Sequence, residues 1–196
     1  MSQGSPRRAR TRMSPQERRR QLLGIGLSKL VERPIQDLSV DEVAREAGIS
    51  RGLLFHYFPS KTAYHEEVTA AAVRRVMRNT APDEGVTGEE GLAQFVRRFF
   101  AQVERRREFY LALVFGSGVV SLGGDRVDSL RMTIAQRVVA TLGLEESAEG
   151  TVHAWAAYVE DRALRWSAPP PAERTRGLDT EVRHCVAALR ALLAVD

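Results

Sequence analysis

The residues best equipped for chemistry sit close together in LSVDEVAREAGISRGLLFHYFPSK, positions 38–61. Ser39, Ser50, Arg51, His56, Tyr57 and Lys61 supply hydroxyls, an imidazole and two cations within that run. Nothing around them makes a catalyst. No nucleophile is paired with a base, no glycine loop has a phosphate-cradling pattern, and no histidine or cysteine set has metal-ligand spacing. His153 has neither a cysteine nor a second histidine near it in sequence, and a lone Cys185 can close no internal disulfide and no cysteine-based zinc site. Cys185 is expected to be a small core residue on a helix. The sequence therefore points to non-covalent recognition, with no enzyme activity, cofactor or metal expected.

The elements that must position these residues are two short helices, predicted at about 40–47 and 50–57 and separated by Ala47-Gly48-Ile49. A turn this tight needs a left-handed backbone, which glycine adopts without a β-carbon clash. Leu38, Val43, Ala44, Ala47 and Ile49 fall on an inward face at helical spacing, and the small Ala44 and Ala47 let two helices cross closely. This is the layout of a helix-turn-helix, whose second helix enters a DNA major groove N-terminus first. Ser50 caps that helix, whose free amides and positive dipole end favour a phosphate.

The rest of the chain reads as helix. Ser14-Pro15-Gln16-Glu17, Ser39-Val40-Asp41-Glu42 and Thr87-Gly88-Glu89-Glu90 each have the form of a capping box. Pro34, Gly48, Pro59 and the run Ala81-Pro82-Asp83-Glu84-Gly85 are stops. Longer helices are predicted at about 60–79, 89–107, 125–142, 148–166 and 173–194, with a short helix and a glycine-broken loop over 109–119. Ala168-Pro169-Pro170-Pro171 is a stiff connector. The expected fold is all-α: a three-helix helix-turn-helix domain at the N-terminus and a larger helical domain behind it, about nine helices together. The divisions expected are a disordered basic arm over 1–13, a DNA-binding domain over 14–62, and an effector-binding and dimerisation domain over 63–196. No polar linker separates the last two.

Charge follows the same division. Through residue 62 there are 12 Lys and Arg against 6 Asp and Glu, and from residue 63 on 17 against 19. A basic third joined to a slightly acidic remainder is the footprint of a nucleic-acid-binding module attached to something with another task. The opening MSQGSPRRARTRMS has neither an apolar h-region nor a periodic apolar face, so it reads as an arm rather than a targeting peptide. No run approaches the ~20 apolar residues that span a bilayer.

Positions 16–65 resemble the tetracycline-repressor (TetR) family of bacterial regulators. The resemblance rests on Val43-Ala44, Ala47-Gly48-Ile49-Ser50, Gly52, Leu54-Phe55, Tyr57-Phe58 and Ser60-Lys61. Phe55 departs from the family's usual tyrosine, Thr62 from an acidic residue and Tyr64 from a leucine. The resemblance implies a cytoplasmic, homodimeric, DNA-binding regulator, usually a ligand-responsive repressor on a palindromic operator. The alternative is a DNA-binding regulator without an effector, acting as an activator or through protein partners. The resemblance further implies that Ser39 caps its helix and bonds a phosphate, that Arg51 reads a base edge or a phosphate, and that Gly52 allows close backbone approach. By the same likeness His56, Tyr57 and Lys61 are phosphate contacts, and Arg10 and Arg12 of the arm reach a minor groove. Phe55 and Phe58 are expected in the core.

For the second domain the resemblance implies an effector pocket and a dimer interface. Phe95, Phe99, Phe109, Tyr110, Leu113, Met132, Trp155, Tyr158 and Arg162 are the expected pocket residues, suited to an apolar or aromatic ligand. His153, Glu160 and Asp161 are further polar candidates. The apolar stripes of the last two helices are the expected interface: Val152, Val159 and Ala163 on one, and Val182, Val186, Leu189 and Leu193 on the other.

Overall fold

The computed structural model describes residues 13–30, 35–114 and 124–195. The regular elements of the described residues are all helices: α1 (Pro15–Lys29), α2 (Val40–Glu46), α3 (Arg51–Tyr57), α4 (Lys61–Asn79), α5 (Gly88–Arg105), α6 (Arg107–Val114), α7 (Gly124–Leu142), α8 (Glu149–Trp166) and α9 (Leu178–Leu193). Single 3-10 turns lie at Ile35–Asp37, Glu146–Ala148 and Pro171–Glu173. Among them no helix is long and apolar enough to cross a membrane.

Two cores share one helix. Leu22, Leu38, Val43, Leu54 and Phe58 close around the first part of α4 through Tyr64 and Val68. The second core, built on Phe95, Phe99, Phe100, Trp155 and Leu189, takes in Val76 and Met77 from the last turns of the same helix. Tyr64, which stands where the family usually has leucine, is fully buried and donates its hydroxyl to the Leu22 carbonyl at 2.8 Å. Burial raises the Tyr64 phenol above its ordinary range, so it stays a donor.

Local chemistry explains the helix ends. Ser14 and Glu17 form a complete reciprocal box ahead of Pro15. Ser39, Ser50 and Ser60 each accept from the amide three residues on. The box expected at Thr87 does not form: its hydroxyl makes no cap bond, and the chain enters α5 through Gly88 at φ +63°. Likewise α9 begins at Leu178 rather than near 173. The intervening backbone is held out of the helix by Trp166, whose Nε1 donates to the Arg176 carbonyl at 2.9 Å while the Arg174 guanidinium lies 4.0 Å above its ring.

Candidate nucleic-acid interface

The site is the corner between α2 and α3. Gly48 holds φ +66°, its amide donating to the Arg45 carbonyl and that of Ile49 to the Ala44 carbonyl at 3.0 Å. This pair of bonds satisfies the last carbonyls of α2 and aims the chain into α3. Ser50 then caps α3 through the Leu53 amide at 3.2 Å. Leu54 and Phe58 anchor the helix from inside, and Phe55 and Tyr57 are half-buried against the same core. The outward surface carries Arg51, Gly52, Leu53 and His56, all exposed. Among the described residues nothing covers it.

The basic residues nearby divide into two groups. Arg18, Arg19 and Lys29 of α1 are structural. Arg18 donates to Gln21 and, more distantly, to the Ala47 carbonyl at the end of α2. Arg19 pairs with Glu67 at 2.8 Å and lies over the Phe58 ring. Lys29 bridges Glu42 and Glu46 of α2 at 2.9 and 2.8 Å, and those carboxylates, Glu46 first, hold its amine above the usual lysine range. Arg20, Arg45, Arg51 and Lys61 make up the second, exposed group. Among the described residues, Lys61 makes a single 3.3 Å contact, with the Gln36 carbonyl. The positive balance of the first third is thus partly consumed in joining α1 to its neighbours.

Arg51 has company that sequence reasoning missed. Its Nη1 meets both oxygens of Asp41, at 3.1 and 2.9 Å, with both side chains more than half exposed. Its guanidinium carbon stands 5.3 Å from the centre of the Phe55 ring. Asp41 in the first turn of α2 reads in sequence as a helix-dipole partner, so spacing alone does not mark it. Leu53, 40% exposed, is the other surprise: an apolar side chain on the outer face of α3, of the kind that meets a thymine methyl. Ser39 is half-buried, its hydroxyl accepting from the Glu42 amide at 3.4 Å. His56 sits edge-on to Tyr57. Arg10 and Arg12 lie outside the described residues.

In the second domain, the expected pocket residues whose side chains are described are not gathered round one cavity. Phe95, Phe99 and Trp155 pack with Ile134, Ala156 and Val159 around a gap with essentially no room even for a water molecule, so it holds no effector as it stands. Tyr110 is fully buried against Phe99, and Met132 is half-buried on α7. Tyr158 and Arg162 turn towards α9 instead, where they meet His184 and Glu181, and they line a separate surface pocket of about 450 Å³. His153 pairs with Asp128 at 2.9 Å, and the exposed Asp161 is paired with Arg165. The side chains of Phe109 and Leu113 lie outside the described part. The expected interface residues lie inside a single chain. Val152, Val159, Ala163, Val182, Val186 and Leu189 are at most 8% exposed within one chain, and Leu193 packs against the same core. Each stripe is the inner face of its own helix, α8 packing on α7 and α5 and α9 on α5.

Comparisons with known proteins agree with this architecture. Residues 27–68 match the family described as bacterial regulatory proteins, tetR family, and residues 89–188 match the tetracyclin repressor-like C-terminal domain. The chain is 47% identical over 59 residues to the HTH-type transcriptional regulator EthR of Mycobacterium tuberculosis, spanning 30% of this chain and 27% of that one. It is 37% identical over 62 residues to the HTH-type transcriptional regulator BetI of Cronobacter sakazakii, 32% of this chain and 30% of that one. The match thus spans under a third of the length of these relatives. Over the whole fold, a tetR-family transcriptional regulator from Streptomyces coelicolor superposes with a TM-score of 0.70 at 28% identity, covering 93% of this chain and 83% of the other. A transcriptional regulator from Pseudomonas aeruginosa gives 0.68 at 25% identity, covering 94% of each. With the C-terminal match alone covering more than half of the chain, the protein belongs to the TetR family of DNA-binding transcriptional regulators.

Proposed function

We propose that the protein is a ligand-responsive repressor that binds a palindromic operator as a homodimer, with α3 of each protomer in a major groove. The observation that carries this reading is the outer face of α3, where Arg51, Gly52, Leu53 and His56 are exposed among the described residues on a helix anchored from behind by Leu54 and Phe58. Lys61 and the capped ends of α2 and α3 surround that face with phosphate-binding groups. Two such helices about one DNA turn apart would read a near-palindrome. Since the inner stripes of α8 and α9 are occupied, the dimer surface in this reading is their outer side, where Ala154, Ala187, Ala191 and Leu192 are exposed.

Effector response in this reading works through α4, which contributes to both cores. A ligand entering among Phe95, Phe99 and Trp155 must push α5, α7 and α8 apart, and α4 packs on α5 and α7. Its differential affinity for the opened arrangement would shift the separation of the two α3 helices.

Selection of bound fragments from genomic DNA, followed by affinity measurement against salt, tests the reading. The expected result is one enriched near-palindromic site whose affinity falls log-linearly with salt. Equal affinity for every duplex, or none at all, overturns it.

A further inference from the structure

We infer that Asp41 and Phe55 form a cradle that presents Arg51 in a single orientation, making Asp41 a positioning residue for base discrimination. The inference rests on the DNA-binding reading above and adds to it a device for selectivity. It starts from how a guanidinium reads guanine. Two parallel N–H groups must meet O6 and N7 together, so the orientation of the planar group matters as much as its charge. An arginine at the exposed start of a helix has many rotamers, and most of them offer only a diffuse cation to the phosphates.

Two contacts restrict Arg51 and leave one edge of it open. Nη1 is engaged by both carboxylate oxygens of Asp41, at 3.1 and 2.9 Å. The Phe55 ring lies one turn along α3, its centre 5.3 Å from the guanidinium carbon, within cation–π range. Among the described residues, Nε and Nη2 make no hydrogen bond, and together they form one complete fork. The carboxylate takes one corner, the ring takes one side, and a two-donor edge is left for a base. The departure of Phe55 from the family's usual tyrosine fits this arrangement: the ring serves as a platform, for which a phenol oxygen is unnecessary.

The carboxylate has a second consequence. A negative group about 3 Å from the reading cation, itself 54% exposed, opposes attraction to phosphate oxygens wherever the fork finds no guanine. Asp41 therefore weakens binding to arbitrary DNA while sharpening binding to the right base. An arginine left free would do the reverse. This opposition of signs separates a positioning role from a general loss of stability or charge.

The test measures full-length wild-type, Asp41→Asn, Arg51→Ala and the double variant against the selected site, every single-base substitution of it, and an unrelated duplex. Thermal melts of each variant confirm folding. Asp41→Asn is expected to bind the unrelated duplex more tightly. It should also lose about two- to fivefold of the preference at one base pair, the range of an exposed ion pair expressed as a ratio. Arg51→Ala should flatten that same position, and Asp41→Asn should then change nothing further there. Phe55→Leu should also lower the preference, with Phe55→Tyr restoring it. Retention of the full preference in Asp41→Asn overturns the inference while leaving the regulator reading intact. Loss of preference from Asp41→Asn in the Arg51→Ala background also overturns it, because Asp41 would then read a base itself. A wild-type protein with no sequence preference sinks both.

Discussion

The hydroxyl of Tyr64 on α4 lies 2.6 Å from where a β-carbon on Gly26 of α1 would stand, so the two residues divide one space between them. Val68 Cγ2 lies at the same distance from that point. Gly26→Ala gains about 0.5–1 kcal/mol of helix propensity, but it must displace a buried phenol and strain its bond to the Leu22 carbonyl. Overpacking of this kind costs about 1–3 kcal/mol. Urea denaturation should show Gly26→Ala destabilised by about 1–2 kcal/mol net. Gly24, two residues back and so on roughly the opposite face of the same helix, has nothing within 4 Å of the equivalent point. Gly24→Ala should be stabilising by about 0.5–1 kcal/mol. Adding Tyr64→Phe to Gly26→Ala removes one of the two obstructing atoms and should recover part of the loss, a non-additivity that a double-mutant cycle reads directly.

Gly48 presents the opposite case. Its φ is +66°, yet open space surrounds the position where a β-carbon would sit. A substitution there is penalised by the backbone alone, without a steric neighbour. The expected order of stability and DNA affinity is Gly, then Asn, then Ala, then Val, since Asn tolerates the left-handed region and a β-branched residue does not. Ala should cost about 1–2 kcal/mol and Val more. Equal melting temperatures for Gly48→Asn and Gly48→Val would show that the turn relaxes into another geometry.

These two glycines show what a sequence makes legible. Gly48 lies between two capped apolar stretches, and the local signals of turn, cap and periodicity all agree, so its role follows from neighbours within ten residues. Gly26 gives no such sign. Its reason is Tyr64, on a different helix, and only packing reveals it. The same division runs through the site. Ser50, Arg51 and Lys61 stand at recognisable positions relative to their helix starts, whereas the Asp41–Arg51 pair joins two elements across the corner. In the second domain, periodicity reveals an apolar stripe but not what it faces. The stripes of α8 and α9 cover α5 of their own chain, because a bundle of this size needs both of them to close its core. The late start of α9 was equally hidden, depending on Trp166 reaching the Arg176 carbonyl from the preceding helix.

Cys185 offers a probe of that core. It is fully buried on α9, and Trp155 Nε1 donates to its carbonyl at 2.8 Å. Burial, the dominant cause, pushes its thiol up to about 12. The thiolate is the reactive form, so labelling by an aromatic disulfide at pH 8 requires opening of α9. Labelling should be on the order of 10³-fold or more slower than for a free thiol. It should accelerate with urea in step with global unfolding. Fast labelling in native buffer would mean that α9 detaches locally while the remaining helices stay folded.

Glu160 sets a pH dependence whose sign can be worked out. Arg131 donates to its Oε2 through Nε and Nη2, at 2.9 and 2.6 Å, while Oε1 is buried without a hydrogen bond among the described residues. Burial raises the carboxyl above its ordinary range, and Arg131 offsets this only in part. An acid with a raised value in the folded protein binds its proton more tightly there than in the unfolded chain. Its contribution to stability is therefore complete below the ordinary carboxylate value and declines as pH rises from there to the raised value. Glu160→Gln keeps an acceptor for Arg131 and removes the titration. The stability of the variant relative to wild type should increase with pH across that window and level off above it. All other titrating groups cancel in the difference, so chemical denaturation of the two proteins between pH 4 and 8 isolates this carboxyl (a range chosen on the ordinary carboxylate value of about 4.3). A difference that stays flat would show Glu160 titrating normally, and with it that water reaches Oε1.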